Sequence, residues 1–327
     1  MANTDYGVKY ADKEFLQLEK RLKSVYNEAS KDIQAEMNVF FAKFKKKQAK
    51  WLKDLKDGKA TKEQYQKWLK GQVFQGKQWL IRRDSIANTL AHANEVAFNM
   101  ANQVTPKVFQ VNGNYAAYQM ENSVGVNLDF SIYNSATVRE LLTKDTNILP
   151  PKKLNVPKNL AWNYQAIRNI VAKGIIKGDS IDSIAKNLAK EMPNRNMNMV
   201  RTHARTMVTE AQNKGRLERF KEANSKGIEM EKEWFATLDG RTRDTHRELD
   251  RQRKPLDEPF EVSGYKIRFP ADPQAHPSLV YNCRCTMNSY IKKYPPKYTT
   301  RRDNESKTLI GDMSYREWEQ WKKRGGN

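Results

Sequence analysis

Apolar residues in the first sixty positions recur at steps of three, four and seven, the spacing that places side chains on one face of an α-helix. The members of this stripe are Phe15, Leu18, Leu22, Val25, Ala29, Ile33, Met37, Phe40, Phe44, Trp51 and Leu55. The pattern predicts a helix from about residue 11 to residue 57, roughly 70 Å long at 1.5 Å per residue. A helix of that length needs a partner that covers its apolar face.

The partner is expected to be the next segment of the chain. Gly58 ends the first helix, and Thr61 with Gln64 has the spacing of a capping box that begins a new one. Apolar residues then line a returning helix, which two glycines weaken and Pro106 ends. Residues 1–105 are therefore predicted to form a long, basic helical hairpin.

The helical pattern is interrupted between Pro106 and Pro157. Stretches such as VGVNLDFSIY indicate short strands, and the proline-rich NILPPKKLNVP indicates an extended connector, so we place an irregular connector at 106–160. Helical spacing returns after Trp162. Three helices are expected, over 162–174, from Asp179 or Ser180 to Met192 just before Pro193, and over 195–223.

Beyond Gly227 the apolar period changes to two, which is typical of strands. Alternation occurs in IEMEKEWFATL, in YKIRF and at Cys283, Cys285, Met287 and Ile291. The fold class predicted is α+β, with the long N-terminal helical hairpin followed by a mixed α+β C-terminal domain over 161–293. Residues 294–327 are expected to be a basic, flexible tail, in which SYREWEQW can form one short helix.

The net charge of the chain indicates a polyanionic partner. The 327 residues include 59 Lys and Arg against 38 Asp and Glu, a formal net charge of +21, which favours contact with a polyanion such as double-stranded DNA. The lysines are densest at the tip of the predicted hairpin, where the candidate contacts are Lys43, Lys45, Lys46, Lys47, Lys50 and Lys53. A solubilising surface is the alternative. The interleaved Trp51, Tyr65 and Trp68 either stack on bases or, as their helical spacing favours, belong to the core.

The chain contains two cysteines, Cys283 and Cys285, which are too close together for an unstrained disulfide. No run approaches 18 apolar residues, and the first fifteen residues contain no apolar segment of signal-peptide length. We therefore expect a soluble protein with no disulfide framework, no membrane partner and no export signal.

Four segments in the C-terminal half, taken in order, resemble a known family. They are RTHARTMVTEAQNKGR at 201–216, WFATLDGRTRDTHRELD at 234–250, FPADPQAHP at 269–277 and YNCRCTM at 281–287. Together they resemble the Mu F-like head morphogenesis domain of phage minor head proteins, over about residues 160–291. The resemblance implies a minor capsid protein of the virion interior, made in the host cytoplasm. Its implied partners are the portal protein, capsid or scaffold proteins and packaged DNA.

The residues that carry the resemblance are Glu210, Trp234, Asp239, Arg241, Thr242, His246, Asn282 and Arg284. Two positions depart from the family pattern. Many relatives have Arg-Thr-Glu where this chain has Val208-Thr209-Glu210, and some have a Cys-x-x-Cys pair where this chain has Arg243-Asp-Thr-His246. The second departure weakens any metal site inferred from those relatives.

The turn after Trp234 has a structural interpretation of its own. Asp239 is placed to accept hydrogen bonds from turn amides, and Thr242 to cap the helix that follows. A buried pair between Arg241 or Arg243 and Glu210 would then fix the helix on the sheet. A ligand site is the alternative.

No cofactor is expected, and zinc is the alternative that the residues suggest. In an extended strand Cys283 and Cys285 point to one face, where His246 and His276 can complete a tetrahedral set of Cys and His ligands. The same alternation places Met287 on that face, so the thiols are alternatively ordinary core residues.

An enzyme is a further alternative. His246 lies near Asp244, Glu248 and Asp250 along the chain, so an acid–base pair of a nuclease or toxin-like enzyme is conceivable. The sequence lacks a Walker loop, a glycine-rich dinucleotide motif, a serine elbow and a HExxH helix. We expect no catalysis, with a non-specific DNA-binding protein delivered with the genome as the other alternative.

Overall fold

The computed structural model describes residues 5–74, 77–179 and 181–326, without the side chains of residues 43–46, 72–74, 77 and 181. The helices are α1 (Tyr6–Lys56), α2 (Lys62–Phe74), α3 (Lys77–Val124), α4 (Ser135–Lys144), α5 (Val156–Lys177), α6 (Ile181–Ser225), α7 (Asp244–Glu248), α8 (Pro277–Val280) and α9 (Tyr315–Lys323). The strands are β1 (Met230–Phe235), β2 (Arg253–Pro255), β3 (Phe260–Val262), β4 (Tyr265–Ile267), β5 (Thr286–Ile291), β6 (Thr300–Arg302) and β7 (Leu309–Gly311). The predicted α+β class is confirmed.

The first helix forms on the apolar stripe predicted for it. Leu22, Ile33 and Met37 of α1 are fully buried, which shows that the stripe faces other helices. At the start of α2, the Thr61 backbone N–H donates to the Gln64 side chain at 2.8 Å, and the Gln64 N–H donates to the Thr61 hydroxyl at 3.2 Å. This reciprocal pair is the predicted capping box.

Pro106 does not end the returning helix, contrary to the prediction, because α3 continues to Val124. A proline leaves the carbonyl four residues earlier without its amide donor. Here that carbonyl belongs to Asn102, and the Thr105 hydroxyl donates to it at 3.2 Å. The connector expected over 106–160 is consequently mostly helical, and its described residues contain no strand.

Pro193 is likewise inside a helix, so the two helices predicted on either side of it are the single helix α6. The carbonyl that lacks an amide donor is that of Ala189. The Ser30 hydroxyl of α1 donates to it at 2.6 Å. A residue 159 positions away in the chain thus supplies the missing hydrogen bond.

The chain divides into two units that are discontinuous in sequence, unlike the four consecutive segments predicted. One comprises the chain up to Leu18, Met100–Pro151 and everything from Thr202 onward. The other comprises Glu19–Asn99 and Lys152–Arg201, and α1, α2, α3, α5 and α6 contribute to its apolar core. We call the first unit the sheet unit and the second the helical unit.

A polar cluster lies inside the helical unit. The Asn94 amide nitrogen donates to the side-chain oxygens of Asn159 (3.0 Å) and Asn196 (2.7 Å), and its oxygen accepts from the Tyr26 hydroxyl at 2.5 Å. Asn163 closes the ring by donating to Asn159 at 3.1 Å and accepting from Asn196 at 2.9 Å. Because its members lie on α1, α3, α5 and α6, the cluster joins all four helices.

The main sheet of the sheet unit has the order β2-β1-β5, and both strand pairs are antiparallel. The YKIRF segment contains the strand β4, as expected, and β4 pairs with β3 in a separate hairpin. Cys283 and Cys285 precede β5 rather than lying within it. They are nevertheless both buried, so the predicted alternation of buried positions extends beyond the strand.

Residues 294–326 are ordered, so the prediction of a flexible tail is wrong for this segment. β6 and β7 form a hairpin, and Tyr315 and Trp318 of α9 are buried in the same apolar cluster as Trp234. Arg301 pairs with the buried carboxylate of Asp250 at 2.6 Å. These aromatic side chains supply the burial that holds the segment in place. Among the described helices, none is long and apolar enough to cross a membrane.

Candidate functional site

Asp239 organises the turn between β1 and α7. Its carboxylate accepts from the backbone N–H of Arg241 at 3.0 Å, lies 3.2 Å from the Thr242 hydroxyl and forms a two-bond ion pair with Arg284. Burial raises the pKa of Asp239, but the hydrogen bonds and charge of Arg284 outweigh burial and hold the pKa below its ordinary value. Thr242 was expected to cap α7, but it does not. Its hydroxyl instead donates to the Thr237 carbonyl at 2.6 Å.

The arginines expected to pair with Glu210 make other contacts. Arg241 has a side chain that is 78% exposed and lies 3.7 Å from Asp239. Arg243 donates to the backbone carbonyl of Tyr281 at 2.8 Å. Glu210 is buried on α6. The buried ion pair that fixes the turn is therefore that of Asp239 with Arg284.

His246, Cys283 and Cys285 converge in the interior of the sheet unit. All three are buried, and one potential ligand atom from each lies within 4.8 Å of the others. The Nδ1 atom of His246 is 3.4 Å from the Cys285 sulfur and 3.6 Å from the Cys283 sulfur. The His246 ring also packs edge-on against Trp234, with 5.6 Å between ring centroids. Such a set can serve as a hydrogen-bonded core cluster or as a metal centre.

The two thiols have different environments. Burial raises the pKa of the Cys283 thiol, but hydrogen bonds from Cys285 and the charges of Arg243 and Arg284 outweigh burial and lower the pKa from its ordinary value. Burial raises the pKa of the Cys285 thiol well above its ordinary value. Cys283 is therefore the thiol that loses its proton more readily.

His276, the fourth residue of the predicted zinc set, lies outside this cluster. It is the N-cap of α8, where its ring accepts a hydrogen bond from the Ser278 backbone, and it stacks on Tyr265 with 4.5 Å between ring centroids. The structure thus brings three of the four predicted ligands together.

Three residues of α6 hold the cysteine segment, and the sequence interpretation missed them. Thr209 donates to the Cys283 carbonyl at 2.7 Å, and Asn213 donates to the Cys285 carbonyl at 3.2 Å. Arg216 donates to the backbone carbonyl of Met287 in β5 at 3.2 Å. Their spacing of four and three residues is a polar stripe on one helix face, a signal that was available in the sequence. α6 also holds Asn282, whose backbone N–H donates to the Thr206 hydroxyl at 2.9 Å.

The lysine-rich end of α1 is a second candidate surface. Lys47, Lys50 and Lys53 are exposed there, whereas the side chains of the other candidates, Lys43, Lys45 and Lys46, lie outside the described residues.

The aromatic residues beside these lysines contact one another. Trp51 and Trp68 stack with 5.6 Å between centroids, and Tyr65 stacks on Trp68 at 5.9 Å. Tyr65 and Trp68 also pack against the core of the helical unit. The lysines are therefore more exposed to solvent than these rings, which are of intermediate burial.

The chain is similar to known proteins, both over its C-terminal part and over nearly its whole length. Residues 165–288 match the family model described as Phage Mu protein F like protein. The chain is also 29% identical over 324 residues to the minor head protein GP7 of Bacillus phage SPP1, a match that covers 96% of each chain. Residues 165–288 are thus similar to the Mu F-like family. No solved structure matches it.

A second relative is named for an enzymatic activity. The chain is 30% identical over 203 residues to the NAD(+)–arginine ADP-ribosyltransferase EFV of Enterococcus faecalis. That match covers 62% of the chain and 40% of the transferase. The Mu F-like span, 165–288, contains the Asp239 turn and the His246 cluster but neither the lysines of α1 nor α9.

Proposed function

We propose that this chain is a minor head protein that acts in phage head morphogenesis, inside the capsid and in contact with the portal protein. The observation that carries the proposal is the similarity to a minor head protein over 96% of both chains. The interior of a head is filled with DNA, and a protein of net charge +21 is suited to that environment.

Co-purification with the portal protein tests the assembly role. Tagged chain should retain portal protein from an infected-cell lysate and from a mixture of the two purified proteins. Proheads assembled with the chain should contain it, and proheads assembled without it should show altered composition or yield. Failure to capture the portal protein in both mixtures, together with proheads of identical composition, would overturn the proposal.

The exposed lysines of α1 are proposed to contact packaged DNA. Each phosphate contact contributes about 0.9 to the slope of log K against log salt concentration. Replacing Lys47, Lys50 and Lys53 by Gln should therefore make the slope for duplex binding shallower by up to about 2.7. The matched control replaces Lys173 and Lys177, exposed lysines of α5, by Gln, and its slope should stay near that of the wild type. An unchanged slope in the triple variant would refute this contact.

The similarity to an ADP-ribosyltransferase gives a second candidate function. We propose that the shared portion is a structural module, because the chain matches the minor head protein nearly end to end but matches 40% of the transferase. Incubation with labelled NAD⁺ and an arginine acceptor should give no incorporation above a boiled control. Incorporation that rises with protein concentration would establish the transferase alternative.

A further inference from the structure

The atoms of the His246 cluster have the spacing of a zinc site. A tetrahedral ion with about 2.0 Å to nitrogen and about 2.3 Å to sulfur holds those two atoms about 3.5 Å apart. The observed separations from His246 Nδ1 are 3.4 Å to Cys285 and 3.6 Å to Cys283. An ion between the three atoms accounts for both distances.

The hydrogen bonds around His246 favour the tautomer in which Nδ1 carries no proton. Its Nε2 lies 3.0 Å from the Leu279 carbonyl, which can only accept, so Nε2 carries the proton. The nearby guanidinium of Arg243 is 3.1 Å from Nε2 and has the carbonyls of Leu279 and Tyr281 as acceptors. The lone pair of Nδ1 then faces the two sulfurs. Histidines that bind metals commonly donate their other ring N–H to a backbone carbonyl in this way.

The backbone around the cluster also suits a thiolate at Cys283. The backbone N–H of Cys285 donates to the Cys283 sulfur at 3.4 Å. Two thiolates and a neutral imidazole give a ligand charge that a divalent ion neutralises inside the protein. Thiolate with imidazole is a donor set typical of zinc.

We propose that His246, Cys283 and Cys285 bind one zinc ion through Nδ1 and the two sulfurs, joining α7 to the segment before β5. Among the described residues, no fourth His, Cys, Asp or Glu atom joins the group, so the fourth ligand is a water molecule. Binding releases the two thiol protons to solvent. The ion acts as a structural link, and the proposal does not depend on the assembly role.

Metal analysis of the full-length protein, purified without chelator, tests the proposal. One equivalent of zinc is expected, and X-ray absorption should show two sulfur and two nitrogen or oxygen neighbours. Cobalt(II) added to the metal-free protein should give a thiolate-to-cobalt charge-transfer absorption. Less than about a tenth of an equivalent of zinc with no cobalt absorption, or stoichiometric copper in place of zinc, would overturn the proposal.

Variants locate the ion within the chain. Cys283→Ser, Cys285→Ser and His246→Gln should each reduce the bound zinc at least tenfold at limiting metal. His276→Gln is the matched control, because this histidine lies outside the cluster, and it should retain one equivalent. Since a cluster variant can fail to fold, circular dichroism of each metal-free variant accompanies the measurement. Loss of zinc from the His276 variant, with the cluster variants unaffected, would place the ion elsewhere.

Discussion

Replacing Asn94 by Asp tests the buried polar cluster of the helical unit with almost no change in shape. The Asn94 side chain is fully buried, and its amide nitrogen donates to the oxygens of Asn159 and Asn196. In the variant a carboxylate oxygen takes the place of that nitrogen. It faces two acceptor oxygens at about hydrogen-bond distance, so two attractive contacts become repulsive.

The size of the effect follows from the number of contacts changed. Two hydrogen bonds worth about 1 kcal/mol each are lost, and two buried acceptors lose a donor at a cost of about 1–3 kcal/mol each. The Asn159 oxygen still accepts from Asn163, which places the expected loss near the lower end, at about 4 kcal/mol. A typical domain is stable by about 5–15 kcal/mol.

The loss should depend on pH with a defined sign. Burial raises the pKa of the introduced carboxyl above its unfolded value of about 3.9, because the charged form is disfavoured in the interior. The unfolded chain therefore releases its proton first as the pH rises. The variant should be least impaired near pH 4, where the neutral acid can donate one hydrogen bond, and increasingly impaired towards neutral pH.

Urea unfolding followed by circular dichroism at pH 4 to 7 measures the free energy of unfolding. Asn194→Asp is the matched control, because Asn194 is exposed on α6, and its stability should stay within about 0.5 kcal/mol of the wild type. If the free energy of unfolding of Asn94→Asp at pH 7 lay within about 1 kcal/mol of this control, roughly the contribution of one hydrogen bond, the cluster would not hold the helices together as described.

Three further changes are expected to alter stability. Ser30→Ala removes the hydroxyl that donates to the Ala189 carbonyl and should lower the unfolding free energy by about 1 kcal/mol, a result that an unchanged melting temperature would contradict. Arg301→Ala leaves the buried Asp250 carboxylate without its ion-pair partner and should lower the free energy of unfolding in urea by about 3–5 kcal/mol. A loss under about 1 kcal/mol would mean that the C-terminal segment is dispensable for stability. Burial lowers the pKa of Lys232 to about 8, so the folded protein binds fewer protons than the unfolded chain between pH 8 and about 10.5 and gains stability as the pH rises through that window. Lys232→Met should abolish this gain, and a persisting gain would assign it to another group.

Elements set by local periodicity could be predicted from the sequence. The apolar stripe of α1 and the capping box at Thr61 depend on residues a few positions apart, and both occur as expected. Period two after Gly227 located the strands β1 and β4, since alternation reflects which side of a strand is buried. It did not reveal their partners, because pairing brings together segments that are distant in the chain.

The candidate site was partly visible for the same reason. Alternation grouped Cys283 with Cys285, and the family motif directed attention to His246, and these three converge. His276 was grouped with them by residue type alone, and the structure places it at the start of α8. Residue type identifies which side chains can bind a metal, while the backbone path determines which of them meet.

The sequence alone determined the helical stripe, the α+β class, the net charge and the Mu F-like motif, since each depends on residue type and short-range spacing. Only the tertiary structure decided that α6 passes through Pro193, because its replacement donor is Ser30 on another helix. The same holds for Asn94, whose neighbours Tyr26 and Asn196 come from opposite directions along the chain. A buried polar group requires a partner, and the partner's identity depends on which helices pack together.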